Sequence, residues 1–165
     1  MINITPISVL NEYIKFLESF KSLNEMAYGA NQPTSHSKII NTINNHWYAA
    51  IYYTGSKPGF RLIEPYVYGS GFVSPKSGLV SHEDKYYLRC YVILNTQKDP
   101  LVKKQFKKEK GMKRKSVSKS MNELGWRLMR VDLIKSWQPI RKKIVSTRPY
   151  YNANDKMIGD IDVAF

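Results

Sequence analysis

Residues 61–69 read Arg-Leu-Ile-Glu-Pro-Tyr-Val-Tyr-Gly, and the reading of this run decides the fold. Apolar and aromatic residues recur at every second position, which is the period of a strand. Phe60, Leu62, Tyr66 and Tyr68 fall on one face, and Ile63, Pro65 and Val67 on the other. Pro65 has no N–H to give to a ladder, so the strand is expected to lie at an edge or to bend there. Glu64, just before the proline, is held extended. Gly69 and Gly71 are expected to close the run with a turn.

Neighbouring segments supply partners for this strand. Residues 47–53 alternate, with Trp47, Ala49, Ile51 and Tyr53 on one face. The cluster Gly55-Ser56-Lys57-Pro58-Gly59 then predicts a hairpin into the opening stretch. Residues 69–85 read as a long loop carrying Gly71, Pro75, Gly78, Glu83, Asp84 and Lys85. The next strand is predicted over residues 86–94. There Tyr86, Leu88, Cys90, Val92 and Leu94 form a core face, and Tyr87, Arg89, Tyr91 and Ile93 form an outer one. Residues 125–134 read as a further strand, broken by Ser136-Trp137-Gln138-Pro139, and residues 140–147 as a last strand or a short helix. Turn chemistry at Asn152, Asn154 and Asp155 marks a tail that wraps the domain.

Two helices are expected before the strands. Over residues 7–28, Leu10, Tyr13, Ile14, Leu17, Phe20 and Leu23 recur at three- and four-residue steps, with Pro6 at the start and Gly29 at the end. Such a stripe is a packing surface, for the domain itself or for a second copy in a homodimer. A shorter helix over residues 37–45 turns Ile39, Ile40 and Ile43 inward. Residues 1–45 are too few for a winged DNA-reading unit, which takes about 60 residues.

The fold class expected is therefore α+β. An N-terminal helical extension (residues 1–45) precedes a β domain (residues 46–148) with an insertion at 96–124, and a tail (residues 149–165) follows. The aromatic fraction of 13% and the hydrophobic fraction of 42% suit a sheet with a real core. Cys90 is the only cysteine, so no internal disulfide can form. No run approaches the ~20 apolar residues of a membrane-spanning helix. Asn3, Thr5, Asn11 and Glu12 interrupt any leader-like apolar stretch, so the cytoplasm of a bacterial or infected cell is the expected setting, with no membrane partner.

The charge is the strongest functional signal. There are 26 Lys and Arg against 13 Asp and Glu, a net charge of +13. Residues 101–120 carry nine Lys/Arg against Glu109 alone. Such a surplus draws polyanions. The segment reads as a basic loop in which Lys103, Lys104, Lys107, Lys108, Lys113, Arg114 and Lys115 hold phosphates without choosing a sequence. On the outer face of residues 86–94, a guanidinium between two tyrosines can stack on bases and pair with a phosphate.

Three segments in order resemble the WYL domain family. They are Arg-x-Ile-Glu-Pro-Tyr at residues 61–66, Tyr86-Tyr87-Leu88 followed by Arg89-Cys90-Tyr91, and Trp-Arg-Leu-Met-Arg-Val-Asp-x-Ile at residues 126–134. Tyr86-Tyr87-Leu88 stands for the Trp-Tyr-Leu triplet that names the family, and Leu133 stands where its last strand carries a second arginine. The resemblance covers about residues 46–148. It implies a small, strongly bent antiparallel sheet like an SH3 or Sm barrel. It also implies a regulatory module that binds nucleic acid or a nucleotide-like ligand, here in the stand-alone form associated with phages and mobile elements. By position it carries over Tyr87, Arg89 and Arg130, with Arg61 beside them.

The reading is thus a non-enzymatic sensor of a single strand or an anionic ligand, through Tyr87, Arg89, Tyr91, Arg130, Arg61 and the loop cations. No cofactor is expected. Two other readings stand beside it. One is an interaction or inhibitor module that docks on an acidic host protein. The other is a metal-dependent nuclease, for which His82-Glu83-Asp84 in the loop is the thin support. Cys90, on the core face, is expected to be inert.

Overall fold

Strand β2 (Gly59–Val73) is where the sheet is joined together. The computed structural model describes residues 5–19, 34–55, 58–96 and 125–165. Along one edge β2 pairs with β3 (Val80–Thr96) over nearly its whole length. Its other edge is shared. Strand β1 (Trp47–Tyr53) takes residues 59–63, and β6 (Ile158–Ala164) takes residues 67–72. β4 (Gly125–Arg130) lies beyond β3, and β5 (Ile134–Lys143) beyond β1. Among the described residues this makes one six-stranded antiparallel sheet, ordered β4-β3-β2-β1-β5, with β6 on β2.

Pro65 explains the shared edge. Pairing with β1 ends at Ile63 and pairing with β6 begins at Val67, so the proline falls in the gap between partners. The ladder to β3 also slips between Pro65 and Val67. The strand therefore bends at Pro65, as expected, but it is interior and not an edge. The slip changes which way later side chains point, because one extra residue flips every side chain after it. Tyr66 and Val67 both pack into one cluster, while Tyr68 falls on the opposite face with Ile63. The simple alternation that put Tyr66 and Tyr68 together fails for this reason. A second slip between Leu62 and Ile63 moves Leu94 off the face of Leu88, Cys90 and Val92.

Both faces of the sheet are covered. Helix α2 (His36–Asn44) puts Ile39 and Ile43 on Ala49, Ile51, Ile63, Leu88, Cys90, Val92 and Trp137. Ser35 caps its start by accepting from the Lys38 N–H at 3.3 Å. Thr42 accepts the Trp137 indole N–H at 3.1 Å and ties α2 to β5. Helix α1 (Ile7–Ser19) packs Val9, Tyr13, Phe16 and Leu17 on Tyr48, Ala50, Phe60, Leu62 and Ile140, on the other face. Its stripe is thus covered by the chain's own sheet. The predicted continuation to residue 28 lies outside the described residues. A third cluster, Tyr66, Val67, Tyr87 and Ile158, lies under residues 149–165.

The antiparallel sheet is as expected; among the described residues it is not closed, since β4 and β5 end it without pairing to each other. Three expectations are corrected. The predicted turn at Gly69 and loop at 69–85 are strand: β2 runs to Val73, β3 starts at Val80, and a short hairpin joins them. Gly69 serves a close approach, because a Cβ there would sit 1.9 Å from the Asp160 carbonyl oxygen. Gly71, at φ +75°, absorbs the register slip between Ser70 and Phe72. Finally, the chain breaks at a 3-10 turn, Val131–Leu133, and not at residues 136–139. β5 runs through Pro139, which it tolerates because β5 pairs on one side only among the described residues.

Candidate functional site

Tyr87, Arg89 and Tyr91 share one face of β3, as the alternation predicts. That face does not look outward. Tyr87 is only 6% exposed and packs on Phe72 at 5.7 Å, and burial raises its phenol pKa. The Arg89 guanidinium holds Asp155 through Nε to Oδ2 and Nη2 to Oδ1, the latter at 3.3 Å. It also donates to the Met157 sulfur. Tyr91 lies edge-on to Trp126 at 5.6 Å, with the Arg148 guanidinium 4.7 Å from its ring centre. The expectation of an outward aromatic-arginine face is corrected. The third apolar cluster needs a cover, and residues 149–165 provide it, with Arg148 over Tyr91.

The other predicted arginines are elsewhere. Arg130 is opposite Tyr87 in register, at the end of β4, where it is exposed and holds Asp132 at 2.6 and 3.1 Å. That hydrogen bond keeps the Asp132 carboxyl below its ordinary pKa. Arg61 is on the α2 face of β2, 5% exposed, with its guanidinium 4.4 Å from the Tyr53 ring centre. The thickness of the sheet separates it from Arg89. Lys103, Lys104, Lys107, Lys108, Lys113, Arg114 and Lys115 lie outside the described residues.

A feature missed by the sequence reading lies beneath the cover. Glu64 is fully buried, yet its carboxylate accepts Arg148 Nε at 2.8 Å, Arg148 Nη2 at 3.0 Å and the Tyr66 hydroxyl at 2.9 Å. The Tyr66 hydroxyl accepts the Arg148 backbone N–H in turn, at 3.2 Å. Burial first, then the Glu64 charge, pushes the Tyr48 phenol up to about 12 and raises Tyr66 as well. The available signal was a carboxylate inside an otherwise apolar strand, which is seldom buried without a partner.

A cavity of about 340 Å³ opens where α2 begins, among Thr34, His36, Lys85, Tyr86 and Asp132. His36 stands edge-on to Tyr86 at 4.3 Å and meets the Tyr68 hydroxyl through Nδ1. Cations and carboxylates balance at its mouth, where Lys85 is 3.7 Å from Asp84 and Arg130 holds Asp132. Its volume is at the small end for ligand cavities.

Cations without acids gather at the other end of β5. Arg141, Lys142 and Lys143 are exposed in a row. Lys143 donates to the Asn45 carbonyl at 2.8 Å, and Arg141 lies 5.6 Å from the centre of the half-buried Trp47 ring. No ion pair joins Arg141, Lys142 or Lys143 to a carboxylate among the described residues.

His82, Glu83 and Asp84 are strand, not loop, and among the described residues no three His, Cys, Asp or Glu side chains group as metal ligands. Burial pushes the Cys90 thiol up to about 12, which makes it a poor nucleophile. Among the described residues no helix is long and apolar enough to cross a membrane. No family model, no curated protein and no solved structure matches the chain. The WYL resemblance therefore stands on the residues quoted for it.

Proposed function

We propose that the protein is a non-enzymatic regulatory module that binds single-stranded nucleic acid, or a nucleotide-like anionic ligand, through cations on its surface. One observation carries this reading: Arg141, Lys142 and Lys143 stand exposed in a row while other arginines of the fold are taken up by carboxylates. Glu64, Asp132 and Asp155 are each held by an arginine of the same chain. Those arginines are thereby neutralised, whereas Arg141, Lys142 and Lys143 pair with no carboxylate among the described residues. Phosphates are the natural counter-charge for such a surface. The WYL resemblance supports the same ligand class, and the role implies a cytoplasmic setting. The contact surface argued here differs from the Tyr87–Arg89 face, because Asp155 already occupies that guanidinium.

The test is anisotropy of a labelled single strand titrated with the protein at several salt concentrations. Affinity should fall steeply with salt, by a log–log slope of about 0.7 per phosphate neutralised. Absence of binding at low salt would remove the proposal. A partner kept from host lysate after nuclease treatment would favour the docking module instead. Cleavage of the strand that a chelator abolishes would favour the nuclease.

A further inference from the structure

We propose that Trp47 and Arg141 form a stacking platform for an unpaired base, with Lys142 and Lys143 as the phosphate contacts beside it. This rests on the nucleic-acid reading above and gives that reading a place on the folded chain.

The argument starts from a contrast among the arginines. Arg89, Arg130 and Arg148 each hold a carboxylate. Arg141 is exposed, and its guanidinium is directed instead at an indole, 5.6 Å from the ring centre. A guanidinium near an aromatic ring gains from the ring quadrupole while its outer plane stays available. Planes of this kind, indole and guanidinium, are what unstacked bases settle on.

Position supports the same conclusion. Trp47 opens β1, and His46 before it is at φ +54°, which turns the chain sharply out of α2. Trp47 stands opposite Lys143 in the β1–β5 register. β5 has no partner on its far side among the described residues, so a strand can approach along that edge. Successive residues of a strand point to opposite sides, so Lys142 and Lys143 flank the edge from both faces. The amino group of Lys143 already sits on the Asn45 carbonyl, which holds it near the platform. Its remaining donors can take a phosphate oxygen.

This geometry selects single strands, since a base inside a duplex has both faces covered by its neighbours. The full chain should be titrated into a labelled thymidine oligomer and into a labelled blunt-ended duplex without a loop at moderate salt. Trp47→Ala and Arg141→Ala should each weaken oligomer binding by roughly tenfold. Both should leave duplex binding nearly unchanged. Trp47→Phe, which keeps a ring, should retain most of the affinity and shows whether loss in Trp47→Ala reflects stacking or misfolding. Lys142→Gln with Lys143→Gln should reduce the salt slope instead. Wild-type affinity in folded Trp47→Ala and Arg141→Ala would overturn the platform while leaving nucleic-acid binding in place. Equal losses on oligomer and duplex would also overturn it. Failure of the wild-type chain to bind either probe would remove both proposals.

Discussion

The Arg148 guanidinium grips the Glu64 carboxylate with two hydrogen bonds, 2.8 and 3.0 Å long, across 84 residues of chain. Glu64 is wholly buried, and the side chain of Arg148 is 13% exposed. Removing one partner of a buried pair leaves an uncompensated charge in a poorly polarisable interior, which costs about 3–5 kcal/mol. Arg148→Ala should lower stability by that order, read as the urea midpoint. Adding Glu64→Gln to Arg148→Ala should restore part of the loss, because the amide carries no charge to strand. A double variant no more stable than Arg148→Ala would show that the charge is not what makes the single change costly.

Burial, with the same carboxylate second, sets an alkaline limit. Tyr48 is raised from about 10 to about 12, by burial first and by the Glu64 charge second. Tyr66 is raised for the same two reasons and by donating to Glu64. The folded chain therefore holds these phenols protonated where the unfolded chain would ionise them. A raised folded pKa gives a contribution that is complete below the unfolded value and is lost as pH climbs through the folded one. Stability should begin to fall near pH ~10 and drop through pH ~12, the window set by Tyr48. Urea midpoints across that range check it. Tyr48→Phe should flatten the decline, and an unchanged pH profile would count against the assignment.

What was legible in the sequence follows from how local each determinant is. The β1–β2 hairpin, α2 and the shared face of Leu88, Cys90 and Val92 depend on period and on nearby turn residues, and all of them appear. The bend at Pro65 was legible because proline lacks a donor. The side-chain flip after it was not, because it comes from a slip in the ladder to β3 between Pro65 and Val67, which the alternation within β2 does not show. The break at residues 136–139 was misplaced because Pro139 reads as a terminator unless the strand is known to be an edge. Glu64 was recognised as extended but not as an anchor, since Arg148 lies too far along the chain to suggest itself. The Tyr87–Arg89 face looked solvated for the same reason: the turn residues at Asn152, Asn154 and Asp155 mark a wrapping tail but not the face it covers.

Gly69 offers a direct check on the β2–β6 junction. An added Cβ would lie 1.9 Å from the Asp160 carbonyl oxygen and 2.8 Å from the carbonyl carbon, both of them backbone atoms. Backbone cannot swing aside as a flexible side chain can, so β6 must shift along its length. Gly69→Ala should cost about 3 kcal/mol, the upper end for overpacking. Amide exchange should show protection lost at residues 158–164 while β1 and β3 keep theirs. Uniform protection across the sheet would mean that β6 is not seated where the register puts it.

Arg89 separates a structural role from a ligand-binding one. Asp155 accepts from Arg89 and, through Oδ1, from the Met157 backbone N–H at 3.0 Å, so it organises the turn that leads into β6. Its side chain is 9% exposed and that of Arg89 is 20% exposed, so solvent screens the pair only in part. Arg89→Ala should therefore destabilise the chain by about 1.5–3 kcal/mol, the scale of a hydrogen bond to a charged group. It should leave affinity for a single-stranded probe unchanged at a temperature where the variant is folded. Asp155→Asn should destabilise less, since an amide can still accept from the guanidinium and the Met157 N–H. If Arg89→Ala instead kept its stability and lost the probe, the guanidinium would be a ligand contact, and Asp155 would be holding the place of a phosphate.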